Sequence, residues 1–372
     1  MIIMNIGVDN LYAFKKFYMN MSYPKKVVNT PVEGEYLKSR PNFRYRKVNI
    51  LMGSNATGKT TLGELLMGFA NFLRDGNAYR FADHITDERK WAHLCVDFVA
   101  WDNRLYRFTL KTKINKEDDK EEKICDKKLE FVSINQNDNY ETCAKRLDEG
   151  EGEEIDYKDI PVPGWCFQYG HRIVDSIKSI EEKEYIKVLG LIMKTLDPAV
   201  KSVHKVMDVE NTYLIKLNNH SVLIQDGDVK GEKIFSSGTK MGFKIAYSIA
   251  SMICGMHNFY YCDELFTYVN SDIEIACLSL MIEKLSERGQ LFFTTHNSDV
   301  AEMDLPNHSF CFLKKDKDGA NKIEYVNASD YLKKNTDSIR NALDNDVFST
   351  SPNVEKIYDI ADIAKWGGNN SE

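Results

Sequence analysis

Residues 53–60, Gly53-Ser-Asn-Ala-Thr-Gly-Lys-Thr60, fit the pattern GxxxxGK[ST], and their reading decides the fold. The glycines of such a loop let backbone N–H groups converge on a triphosphate, and the helix that follows points its positive end at the anion. Val48 to Met52 ahead of the loop is a short apolar strand. Leu62, Leu65, Leu66, Phe69 and Leu73 after it keep helical spacing. Strand, glycine-containing loop and amphipathic helix is the order a phosphate loop requires. Lys59 is expected to reach the β and γ phosphates of ATP and Thr60 to ligate Mg²⁺, with Gly53, Asn55, Ala56, Thr57, Gly58 and Thr61 completing the contact.

Three downstream stretches extend this reading. Phe259-Tyr-Tyr-Cys-Asp263-Glu264 is an apolar strand ending in two acids. Asp263 would hold the metal through its water shell, and Glu264 would accept a proton from the attacking water as a general base. Gln290-Leu-Phe-Phe-Thr-Thr-His296 is a second apolar strand, whose His296, 33 residues after Asp263, would sense or orient the γ-phosphate from the neighbouring strand. Phe235-Ser-Ser-Gly-Thr-Lys240 opens a helix with the apolar stripe Met241, Ile245, Ile249 and Met252. Taken alone, Ser-Ser-Gly there is a helix cap.

The rest of the chain bounds the function class. With 372 residues, 43% hydrophobic and 28% charged, it has the composition of an ordinary globular protein of one large or two smaller domains. No apolar run exceeds four residues, which excludes a membrane-spanning helix, and the opening lacks the basic start and small-residue cleavage site of a secretory signal. A cytoplasmic location is expected. Eight scattered cysteines, without a CxxC pair or a His at ligand spacing from one, point to reduced thiols and no structural zinc. Net charge is -7, yet residues 1–59 carry a local +7, an asymmetry that can mark a nucleic-acid or phosphate surface. Residues 93–113 read as a β-hairpin around Asp102-Asn103, and 211–225 as another around Asn218-Asn219. Residues 178–197, 240–255 and 272–287 read as helices. The acidic stretches from 117 and from 148 read as solvated loops. Alternation of helix and strand in the last third signals a parallel sheet covered by helices.

In the company of the other motifs, Ser236-Ser-Gly238 resembles the signature of the ABC ATPase superfamily, with the Asp-Glu strand about 25 residues later and the switch His beyond it. The opening NLYAFKKFYMNMS resembles the start of RecF, SMC and OLD-type ATPases. LDPAVKSVHKVMDVENTYLIKL followed by SSGTK is similar to the ABC-like AAA ATPases of OLD nucleases and of phage-defence operons such as Septu and PARIS. What the resemblance implies is an α/β ABC-ATPase head: a mixed sheet of phosphate-loop type, an antiparallel β lobe and a helical signature lobe. The head would span 1–335, with the β lobe and phosphate loop to about 170, the helical lobe over 171–257 and the Asp-Glu and His segment over 258–335. Residues 336–372 would form a C-terminal extension with a frayed tail.

The resemblance further implies a head-to-tail homodimer around two ATP molecules, with Ser236, Ser237 and Gly238 acting in trans, and Gln168 touching Mg²⁺ and the attacking water. Tyr12 stands where many relatives carry an Arg that touches phosphate. Only 76 residues follow His296, too few for a Toprim nuclease. The function so implied is an ATPase that senses or gates a separately encoded effector, a nuclease or toxin, in antiphage defence, with no membrane partner. The alternative is a RecF- or SMC-like DNA-binding repair ATPase using Lys15, Lys16, Lys25, Lys26, Arg40, Arg44 and Arg46.

Overall fold

The computed structural model describes the chain except residues 24, 26–29, 118–119, 171, 177–182, 208, 210–211, 219, 226–227, 231–236, 316–321, 335–336, 352–356 and 359–372. A seven-stranded sheet runs through the middle in the order Ile173–Asp175, Trp165–Gln168, Phe259–Asp263, Gln290–Thr294, Val48–Met52, Phe310–Lys315, Ile323–Asn327. The five inner strands are parallel and the two at the edges antiparallel. Parallel strands are covered on both faces, so they read as unbroken apolar runs. Every residue of Val48–Met52, Phe259–Asp263 and Gln290–Thr294 is buried.

Helix α1 (Lys59–Asp75) packs its leucine stripe on one face, in a core shared with Phe167, Tyr261 and Phe292 of the sheet. A six-stranded antiparallel sheet, from Phe17–Asn20 and Ile2–Asp9 to Lys120–Ser133 and Glu153–Glu154, closes that core from outside. Helix α2 (Tyr140–Asp148) covers the far side of this sheet through Tyr140, Cys143 and Leu147, and Asn139 and Thr142 form its capping box. The opposite face of the central sheet carries α3 (Lys183–Leu196), α4 (Ser237–Ile253) and α5 (Ser271–Lys284), packed on Cys166, Tyr260, Cys262 and Phe293.

The fold class is therefore the expected one, α/β with a mixed sheet and an antiparallel β lobe, but three local expectations change. The charged stretch from 117 is not a loop throughout, because Lys120–Ser133 is a 14-residue strand laddered along Arg104–Glu117. Its outer half needs no core: backbone pairing and opposite charges such as Lys116 and Glu121, 3.1 Å apart, hold it in water. The acidic stretch from 148 contains the strand Glu153–Glu154 and a 3₁₀ turn over Tyr157–Asp159. The lobe that carries α3 and α4 is not purely helical either. Between them lies a four-stranded antiparallel sheet, Val200–Lys205, Thr212–Leu217, Ser221–Gln225 and Asp228–Lys230, so the expected hairpin is its middle pair. Beyond residue 336, Ile339, Ala342 and Phe348 are buried, with Phe348 stacked on Phe312 at 4.1 Å. No helix among the described residues is long and apolar enough to cross a membrane.

Candidate functional site

The loop from Gly53 to Gly58 leaves the C-terminal end of Val48–Met52 and turns into α1. Gly53 has φ +147, and a Cβ there would meet the Leu313 carbonyl oxygen at 2.3 Å, so only glycine lets the backbone cradle form. Thr57 Oγ1 donates to the Ser54 carbonyl at 2.9 Å and pins the loop. Lys59 is 4% exposed, and its ammonium donates to the carbonyls of Gly53 (2.9 Å) and Ser54 (3.3 Å). Burial pushes its pKa down, while Glu264 and Asp263 pull it back up. At 3.9 Å, Glu264 Oε1 is the ammonium's ion-pair partner.

Helix α1 lies close on the acid strand because Gly63 faces the Tyr261 ring, where a Cβ would come within 2.5 Å. Tyr261 adds a hydroxyl donated to the Lys59 carbonyl. This contact brings Thr60 to Asp263: Thr60 Oγ1 donates to Asp263 Oδ2 at 2.6 Å. Asp263 Oδ1 accepts from Thr294 Oγ1 at 2.8 Å, and the same threonine oxygen accepts from the Glu264 amide at 2.9 Å. Burial raises the Asp263 pKa against these hydrogen bonds, which lower it. Glu264 follows the strand with φ 48, a left-handed conformation that costs a non-glycine residue about 1–3 kcal/mol. Thr267 Oγ1 donates to its carbonyl at 2.7 Å and holds that turn. His296 Nε2 donates to Glu264 Oε1 at 2.8 Å.

Lys59, Thr60, Asp263, Glu264 and His296, separated by up to 237 positions, thus converge where three parallel strands end. Gln168 is not brought into this group. It ends its strand beside Cys262, and its buried amide donates to the Lys244 carbonyl of α4 at 3.4 Å. Ser236 lies outside the described residues, and Ser237 and Gly238 are the first two residues of α4. Tyr12 stacks on His84 at 4.1 Å, with burial raising its pKa. Of the basic residues set aside for nucleic acid, Lys26 lies outside the described residues. Arg46 is buried and donates to the Asn20 carbonyl at 3.1 Å and to the Tyr325 hydroxyl. Arg40 and Arg44 donate through Nε to the carbonyls of Ile134 and Pro41. These three arginines do not form one free basic face.

Thr294, which bridges Asp263 and the Glu264 amide, is not among the expected site residues; its only signal in the sequence is a polar residue closing an apolar strand. A second missed group anchors His296. Thr295 Oγ1 donates to Glu274 Oε1 (2.7 Å), and Asn297 Nδ2 donates to Glu274 Oε2 (2.8 Å), so the backbone on both sides of the imidazole is tied to one buried carboxylate of α5. A cavity of about 210 Å³ opens here, lined by Glu264, Thr267, Glu274, Thr294 and His296. Oxygen donors from Thr60 and Asp263 suit a hard cation, and the Gly53 cradle with Lys59 suits a phosphate chain.

No protein-family model matches the chain, and no curated protein matches it. Among solved structures it is similar to an Smc head bound to the C-terminal winged-helix domain of ScpA, with TM-score 0.48 and 13% identity over 90% of this chain and all (100%) of that one. It is similar to the SMC head domain of Thermotoga maritima, with TM-score 0.42 and 11% identity over 88% of this chain and 99% of that one. It is also similar to the recombination mediator RecF in complex with ATPγS, with TM-score 0.44 and 10% identity over 87% of this chain and 98% of that one.

Proposed function

We propose that this chain binds ATP with Mg²⁺ at the Gly53–Thr60 loop and hydrolyses it to ADP and phosphate. The observation that carries the reading is the continuous hydrogen-bond path from Thr60 through Asp263 and Thr294 to the Glu264 amide, with His296 on the Glu264 carboxylate. Mg²⁺-ATP would supply the cleavable phosphoanhydride and a cation that neutralises its charge, held by Thr60, Asp263 and the loop amides. The protein's part follows from its own groups. The Lys59 ammonium exchanges its two loop carbonyls for phosphate oxygens. Glu264 takes the proton of the attacking water at its carboxylate, and His296 holds that carboxylate in place.

Two copies would pair head to tail, each presenting Ser236 and the first residues of α4, Ser237 and Gly238, to the nucleotide held by the other, and Gln168 would join the metal side. The finer reading is that the closed pair gates a separately encoded nuclease or toxin in antiphage defence. Its support is the resemblance of most of residues 1–300 to such ATPases. ATP would favour the closed pair and hydrolysis would release it. Measuring mass in solution with ATP and Mg²⁺ for the Glu264→Gln variant tests the pairing: a nucleotide-dependent dimer is expected, and a strict monomer at saturating ATP overturns it. Co-purification with the product of a neighbouring nuclease or toxin gene tests the effector role. A full search of the flanking genes that finds neither removes it.

A further inference from the structure

Away from the nucleotide side, at the edge of the central sheet, Cys166, Asp175 and His257 place one ligand atom each within 4.8 Å of the others. Cys166 and Asp175 sit opposite each other in the antiparallel pair Trp165–Gln168 and Ile173–Asp175. His257 lies between α4 and Phe259–Asp263. Its imidazole is 1% exposed, and neither ring nitrogen has a hydrogen-bond partner among the described residues. Gly164 makes room for the ring, since a Cβ there would stand 3.2 Å from Nδ1, while Nε2 faces Asp175 Oδ2 at 3.8 Å. Buried imidazole nitrogens are ordinarily satisfied, so a pair of orphans beside a thiol and a carboxylate calls for a missing partner. A neutral imidazole has a lone pair to give to a metal ion.

We propose that Cys166 Sγ, Asp175 and His257 Nε2 supply three of the ligands of a buried site for Zn²⁺. Sulfur, nitrogen and oxygen donors match zinc and exclude Mg²⁺ and Ca²⁺, which take oxygen ligands. Tetrahedral donors stand about 3.5 Å apart, so loading would shorten the widest pair of the observed cluster by about 1.3 Å at most. The Tyr247 hydroxyl donates to Asp175 Oδ2 and orients the carboxylate. Burial holds the Cys166 thiol protonated, so binding forms one S–Zn bond and releases one proton to solvent. The ion would clamp the strand that ends in Gln168 to the segment entering Phe259–Asp263. The site stands independently of the ATPase reading.

The test is titration of the full chain, purified under reducing conditions and stripped with chelator, with Co²⁺ as probe and Zn²⁺ as competitor. One Co²⁺ per chain is expected, with a near-ultraviolet thiolate-to-cobalt charge-transfer band that Zn²⁺ abolishes. The oxygen ligands of Thr60 and Asp263 cannot produce that band. Cys166→Ser should remove it, and His257→Gln should weaken binding by more than about 100-fold. Tyr247→Phe, which keeps the ring, should weaken it by about 10-fold. Failure of the unmodified chain to give a stoichiometric thiolate band overturns the proposal whether or not the variants fold. An unchanged band in folded Cys166→Ser does so as well.

Discussion

The two clusters of ionisable groups on the central sheet differ in how their polar atoms are paired. On the α1 face, both Asp263 oxygens accept threonine hydroxyls, Glu264 accepts from His296, and Lys59 is turned onto its own loop. On the α4 face, at the sheet edge, the two nitrogens of His257 make no hydrogen bond among the described residues. The first cluster holds its geometry through internal bonds, so ligand binding would exchange existing partners. In the second, the imidazole stands 3.8 Å from Asp175 without a hydrogen bond, so a bound ion would add contacts rather than exchange them. A site held by its own contacts can be broken by removing one of them, whereas an incomplete site is broken by removing a donor.

Lys59→Ala separates the two regions most sharply. It should abolish ATP binding by titration calorimetry and leave the Co²⁺ band of the Cys166 cluster unchanged; loss of both would show that the regions are not independent. Next in size is Thr294→Val, which strips a donor from Asp263 Oδ1 and an acceptor from the Glu264 amide. Leaving buried groups unpaired should cost about 1–3 kcal/mol in denaturant unfolding. Misplacing the acid pair should lower turnover by about 100-fold. Equal stability and turnover would mean that the threonine does not position these acids.

Asp263→Asn tests the electrostatics. Burial raises the carboxyl's folded pKa, so its charged form is the disfavoured one. The stability that this group contributes is full below its ordinary pKa and is lost as pH rises through the higher folded value. The asparagine variant should therefore melt above the parent at pH 7, with the difference fading as pH falls toward about 4. A variant less stable than the parent at neutral pH contradicts the sign. The smallest effect is Ala56→Gly. Ala56 sits at φ 62, and relief of that strain, partly offset by a freer unfolded chain, should raise stability by under about 1 kcal/mol.

How much of this was legible follows the same division. The phosphate loop, the leucine stripe of α1 and the Asp-Glu strand are contiguous in sequence, so their spacing carries their geometry. Lys120–Ser133 was not readable as a strand, because its exposed half is held by backbone pairing and cross-strand charge rather than by apolar alternation. Arg46 reads as a surface charge but is buried with polar partners, which no single-residue pattern encodes. Gln168 could be located at a strand end, yet which face it takes depends on parallel register beside Cys262. Cys166, Asp175 and His257 come from three separate segments with no ligand spacing, so their proximity is not legible in the sequence.

The most direct test of the central claim is a comparison of Glu264→Gln with the parent, measuring ATP affinity by calorimetry and phosphate release under saturating Mg²⁺-ATP. Removal of a general base should leave affinity within a few fold and reduce turnover by roughly 10²–10⁴-fold. A glutamine variant that releases phosphate as fast as the parent would contradict the assignment of Glu264 and, with it, the account of the site.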